Sequence, residues 1–186
     1  MSIARSAGIL FALFVCVSNA APTNADSRAT SVRMPTLSVV STFKDGQTIP
    51  KQFTADGGDR SPALRWSTPP SNAKSIAIIV SDPDAPRGTW YHWLLYNLPA
   101  NITYLNENVP KTPTTVGGAM QGTNDFNRIG YSGPAPPPGQ KHRYEFRIAA
   151  LDAMLSLKPG ARKEEVLNAV REHEIAEGRL MGVYSR

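Results

Sequence analysis

A chain of 186 residues, 41% of them hydrophobic and 19% charged, can bury one core without disulfides or a structural metal. Its net charge of +5 is spread along the chain, with no basic stripe of interleaved aromatics, which argues against nucleic-acid binding. The single cysteine, Cys16, excludes a disulfide within the chain.

Arg5, the apolar run from Gly8 to Val17 and the small residues Ser18-Asn19-Ala20 read as a signal peptide over 1–20, cleaved after Ala20 or Ala25. The run is too short to cross a bilayer. Cys16 follows Phe14-Val15, a poor lipobox, so lipid attachment is the weaker reading. The leader implies a periplasmic or secreted protein. Residues 21–35, rich in Ala, Thr, Ser and Asn, read as a flexible lead-in, which leaves 36–186 as one folded domain.

Leu37 to Phe43 has strand composition and is followed by the turn residues Lys44-Asp45-Gly46-Gln47. Lys51 to Thr54 and Leu64 to Trp66 are short strand candidates. Ser75 to Val80 is apolar on both faces and β-branched, the pattern of a fully buried strand. In the strand Trp90 to Leu98, strict alternation groups His92 with Leu94 and Tyr96, and Tyr91 with Trp93 and Leu95. From 99 to 139 the composition is that of a long loop. Arg143 to Leu151 is a third strong strand, with His142, Tyr144 and Phe146 on one face and Arg143, Glu145 and Arg147 on the other. Lys163 to Ala176 carries Val166, Val170 and His173 as a helical stripe, behind a start that lacks a Ser, Thr, Asp or Asn cap. Leu180 to Tyr184 closes the chain as a short strand. Strands followed by helix argue a mainly β, antiparallel core with a helical C-terminal appendage.

Two polar segments stand out from this scaffold. One is Ser81-Asp82-Pro83-Asp84-Ala85-Pro86, running on to Trp90-Tyr91-His92-Trp93; the other runs from Gly130 through Pro134-Ala135-Pro136-Pro137-Pro138 to His142-Arg143-Tyr144. If they meet, His92 and His142 beside Asp82 have raised pKa values and donate to an anion. A proline wall shapes a rigid pocket around it. The bland alternative is two core histidines and turns built by Asp-Pro repeats. One of Trp90 and Trp93 belongs to the core and the other to the pocket mouth, while His173 packs. Asp84 and Arg143 are read as a buried structural brace.

Catalytic readings are weaker. Gly130-Tyr131-Ser132-Gly133-Pro134 fails the G-x-S-x-G pattern at its last position, so a Ser132-His142-Asp82 triad has no motif behind it. Asp82, His92 and His142 have metal-ligand chemistry without a metal-binding spacing. No catalytic residue, metal or cofactor is assigned.

Asp82-Pro83-Asp84-Ala85-Pro86, His92-Trp93, Tyr96-Asn97-Leu98-Pro99, Gly130 to Pro137, His142-Arg143-Tyr144 and Ala150-Leu151-Asp152 together resemble the phosphatidylethanolamine-binding protein family, in its short bacterial Raf-kinase-inhibitor-like branch. The likeness extends to Ser61 to Trp66 and Leu180 to Arg186, nearly all of the chain after Leu37. It implies an antiparallel β-sandwich with short C-terminal helices and a small anion pocket. That pocket would use Asp82, His92, Gly133, Ala135, Pro136, His142 and Tyr144, braced by Asp84 and Arg143. No counterpart of the eukaryotic C-terminal helix is expected beyond the Gly182-Val183-Tyr184 stretch, so kinase inhibition is not carried over, and Ala161-Arg162 stands where a small polar cap is usual. The expected function is non-enzymatic binding of a phosphate-like anion or a phospholipid headgroup. The alternatives are inhibition of a peptidase or other partner enzyme through the surface, and weak hydrolysis by the His/Asp cluster. The bacterial branch also suggests a homodimer.

Overall fold

The computed structural model describes Met1 and residues 34–186. The expected signal peptide and most of the lead-in lie outside these residues. Among the described residues, eight strands form two antiparallel sheets. A small sheet has the order β1-β2-β5, from Val39–Ser41, Leu64–Trp66 and Tyr104–Leu105. The larger sheet has the order β6-β4-β3-β7-β8, from Met120–Gln121, Trp90–Pro99, Ser75–Asp82, Lys141–Leu151 and Glu174–Ser185.

The central strand β3 is buried at every residue because it serves two cores. Ile76, Ile78 and Val80 pack with Trp66, Trp93, Tyr144 and Phe146 in one core, where the small sheet also contributes Leu64 and Leu105. Ala77 and Ile79 face the other way, against Leu94, Tyr96, Val166 and Val170. The last two lie on the helix α1, Lys163–His173, which covers that face of the sheet. At about 25 cal/mol per Å² of apolar surface removed from water, these two cores are the main source of stability.

Several elements differ from expectation. Lys51–Phe53 is a 3₁₀ turn rather than a strand. Pro50 has no N–H to give a ladder, and its carbonyl accepts the Phe53 N–H at 2.9 Å, which turns Phe53 into the core. The helix ends at His173 rather than Ala176, and the closing strand runs over Glu174–Ser185 rather than Leu180 to Tyr184 alone. The alternation Ala176, Gly178, Leu180 along β8 meets Ala150, Ile148 and Phe146 of β7 register for register. Small residues at the first two inward positions hide that alternation from a hydropathy reading. A Cβ at Gly178 would collide with the Leu37 carbonyl, so glycine there lets the incoming chain close the edge of β8.

The first turn of α1 is capped after all. Glu165 accepts the Arg162 backbone N–H at 2.7 Å, half of a capping box, and Glu164 and Glu165 both favour the positive end of the helix dipole. His173 is not on the buried stripe: its side chain is 41% exposed and pairs with Asp152 at 2.9 Å. The span 99–139 holds two short strands. Gln121 fastens it, accepting the Trp93 indole N–H at 2.6 Å and donating to the Pro110 and Thr112 carbonyls at 2.8 and 2.7 Å.

Candidate anion-binding site

A β-bulge builds the site. Val80 pairs with Trp93, but the next residue, Ser81, pairs with Tyr91, so His92 is an extra residue in β4. The bulge reverses part of the expected alternation. His92 turns to the side of Trp93 and lies 5.3 Å, ring to ring, from Tyr144, while Tyr91 packs with Leu94 and Tyr96 on the helix side. A period-two reading cannot see this, because one inserted residue flips the face of everything beyond it.

From β7, His142 and Tyr144 project to the same side as Phe146, as alternation requires. Asp82, at the end of β3, meets them. Its Oδ2 lies 2.8 Å from His142 Nδ1, and its Oδ1 accepts the Asp84 N–H at 2.9 Å in a local turn. Both members of the Asp82–His142 pair are buried, at 4% exposure each. A carboxylate only accepts, so His142 Nδ1 carries the proton. His142 Nε2 is 3.1 Å from the Gln140 side chain, at the exposed end of the proline segment.

His92 Nδ1 lies 2.6 Å from the Ser132 carbonyl, which again can only accept, so Nδ1 bears the proton of a neutral ring. Burial holds this imidazole below its ordinary pKa, against the opposing pull of that carbonyl and of Asp82. The expectation of a raised His92 pKa is therefore corrected: desolvation outweighs the nearby carboxylate. Tyr144 is fully buried, and among the described residues its hydroxyl has no hydrogen-bond partner. Burial first, and then the Asp82 charge, push that hydroxyl far above the ordinary phenol range, so it remains a donor.

These groups line a cavity of about 310 Å³, whose wall also includes Ala135, Pro136, Pro137, Trp90 and Phe126. Arg87, an exposed side chain, is at its rim. Of the two candidate tryptophans, Trp93 is core and Trp90 lines the cavity. Trp90 and His92 both meet Phe126 edge-on, at 5.5 and 5.1 Å.

Gly133 is not part of the lining. Its N–H donates to Asp59 Oδ1 at 2.6 Å, and a Cβ there would stand 2.6 Å from the Phe53 carbonyl. Only glycine permits this approach, which anchors the proline segment and delivers Ala135 to Pro137 to the cavity. The brace between Asp84 and Arg143 exists but is not buried. Arg143 donates from Nε at 2.9 Å, from a terminal nitrogen at 2.6 Å and from its backbone N–H at 2.8 Å, while its side chain is 53% exposed. The Arg143 guanidinium holds the Asp84 carboxyl down, to about 2.

Ser132 is not brought to His142. Its hydroxyl lies 3.1 Å from Asn124 Nδ2, its carbonyl holds His92, and His142 is engaged by Asp82 and Gln140. Among the described residues no three His, Cys, Asp or Glu side chains form a group able to hold a metal. Sequence reasoning passed over Arg87, Phe126, Asn124 and Gln140. The turn chemistry of Asn124-Asp125-Phe126-Asn127 was the available signal for two of them.

A family model described as phosphatidylethanolamine-binding protein matches residues 39–185. A UPF0098 protein of Methanothermobacter thermautotrophicus is 48% identical over 144 residues, covering 77% of this chain and 95% of its own. A second, from Aquifex aeolicus, is 44% identical over 146 residues, covering 77% and 85%. Among solved structures, a phosphatidylethanolamine-binding protein homologue from Chlamydia trachomatis superposes with a TM-score of 0.73 at 39% identity, covering 81% of this chain and 98% of its own. YbcL of E. coli, described as a member of the mammalian PEBP family, gives 0.76 at 33% identity, with coverages of 81% and 98%. With the motifs in order, the two-sheet fold and these matches in agreement, the chain belongs to the phosphatidylethanolamine-binding protein family.

Proposed function

We propose that this protein is a non-enzymatic binding protein whose cavity takes a phosphate-type anion, free or as a phospholipid headgroup. The observation that carries the reading is the Tyr144 hydroxyl, buried beside the Asp82–His142 pair and, among the described residues, without a hydrogen-bond partner. A buried donor left unpaired costs about 1–3 kcal/mol, and a ligand oxygen in the cavity would remove that cost. Asp82 accepts from His142 through Oδ2 and from the Asp84 N–H through Oδ1, and so fixes the His142 ring at the cavity wall. A protonated His142 offers Nε2–H once Gln140 moves aside, and Arg87 supplies positive charge at the rim. The volume suits a headgroup rather than a whole lipid. The separation of Ser132 from His142 gives no support to hydrolysis by that pair. The leader over 1–20 supports export as a further part of the proposal.

An anion held through His142 Nε2–H and the Tyr144 hydroxyl lies against both histidine rings. Titration with phosphate and with phosphoethanolamine, following the histidine ring signals by NMR at pH 6 and pH 8, tests this. Saturable shifts at His142 and His92 are the expected result. Tighter binding of phosphoethanolamine than of phosphate would single out the headgroup. No shift at either ring would remove the anion pocket and leave a partner protein as the object of search.

A further inference from the structure

Asn124 is 3% exposed and ties its own turn to His92 of β4 and to the 130–132 segment. Its Oδ1 accepts the backbone N–H groups of Phe126 at 3.0 Å and Arg128 at 3.1 Å. Its Nδ2 lies 3.1 Å from the His92 carbonyl, 3.0 Å from the Gly130 carbonyl and 3.1 Å from the Ser132 hydroxyl. Backbone N–H groups only donate and backbone carbonyls only accept, so the two ends of the amide are assigned without ambiguity. Two amide protons serve three acceptors, and every partner belongs to the cavity wall or to the segment behind it.

The consequence falls on His92. As the bulged residue, it lacks a regular place in the β3–β4 ladder. It is instead tied to the 130–132 segment: the Ser132 N–H donates to the His92 carbonyl at 3.0 Å, and the His92 ring donates to the Ser132 carbonyl at 2.6 Å. Asn124 holds the two sides of that exchange together, through the His92 carbonyl on one and Gly130 and Ser132 on the other. It also shapes the turn that presents Phe126 against the His92 ring.

We propose that Asn124 is a positioning residue for the pocket: it keeps the Ser132 carbonyl against His92 Nδ1, so that the neutral ring holds its proton there and leaves Nε2 as an acceptor. This rests on the reading of the cavity as a ligand site only where affinity is concerned; the tautomer is a property of the ligand-free protein. Such a ring accepts from a ligand N–H or O–H, so the pocket favours a protonated phosphate or a headgroup with a donor of its own over a bare anion.

Asn124→Asp separates the two ends of the amide. The carboxylate still accepts from Phe126 and Arg128 but cannot donate to the His92 and Gly130 carbonyls. Nitrogen NMR of the His92 ring, without ligand, is the primary readout. The wild-type ring is expected as the Nδ1–H tautomer, and the folded variant as a mixture, with phosphate affinity lowered at least tenfold. A folded variant whose His92 remains wholly Nδ1–H overturns the proposal. If the variant does not fold, hydrogen exchange in the wild type decides: slow exchange of the Asn124 amide protons and the His92 Nδ1–H supports it, and exchange at the rate of a free side chain overturns it. A wild type that binds no phosphate removes the ligand reading of the cavity, while the tautomer measurement still decides the role of Asn124.

Discussion

Asp82 Oδ2 and His142 Nδ1 stand 2.8 Å apart, both buried, and join the end of β3 to the start of β7 at the floor of the cavity. Asp82 also holds the Asp84 N–H, so one carboxylate orients the ring and fixes the turn. Removing it strips two donors of their acceptor. Asp82→Ala is expected to destabilise the protein by about 2–4 kcal/mol, measured by urea unfolding at pH 7. It is also expected to lower phosphate affinity more than tenfold. A variant as stable as wild type would show that the pair is incidental.

His92 predicts a slope on the acid side. Its folded pKa lies below the ordinary 6.5, with burial the largest cause. Between those values the unfolded chain binds the proton and the native chain does not, so stability is full above about 6.5 and declines as pH falls. His92→Gln keeps a donor for the Ser132 carbonyl but cannot titrate. Comparing unfolding free energies from pH 7 to pH 4 should show a shallower decline in the variant; parallel curves would contradict the neutral, buried ring.

The Asp84–Arg143 pair acts at lower pH and with less weight. Asp84 is held at about 2, so its contribution is present above its unfolded value of 3.8 and is lost as pH falls through about 2. Because Arg143 is largely exposed, solvent screens the pair, and Arg143→Ala should leave the neutral-pH Tm little changed. The acid-unfolding midpoint of the variant is expected at higher pH than that of wild type.

Gly133→Ala tests how the proline segment is anchored. The added methyl meets the Phe53 carbonyl and the Thr54 backbone, neither of which is a flexible tip. A loss of about 1–3 kcal/mol is expected, with displaced Ala135 and Pro136 signals in NMR spectra. Unchanged spectra would mean that the segment is placed by other contacts.

The sequence was informative where local pattern and structure share a period. β3 reads as buried on both faces, and β7 alternates from His142 to Phe146 without interruption. The order of the polar motifs pointed to the family and to Asp82, His92, His142, Tyr144, Ala135 and Pro136, which the fold gathers at one cavity. Legibility failed where one residue breaks the period. The bulge at His92 reversed the face assignment of Tyr91, and Ala176 and Gly178 disguised the first part of β8. Gly133 shows the other limit: its motif position was visible, but the close approach to Phe53 that explains it joins residues 80 positions apart in the chain.

The most direct test of the account is Tyr144→Phe, because the substitution has opposite expected effects on the free and bound protein. Without ligand it removes an unpartnered buried hydroxyl, so urea unfolding should show stability equal to or greater than that of wild type. With phosphoethanolamine, calorimetric titration at pH 6 should show affinity at least tenfold weaker, since the ligand loses its buried donor. Unchanged affinity would contradict the assignment of Tyr144 to ligand capture, and with it the central claim for the cavity.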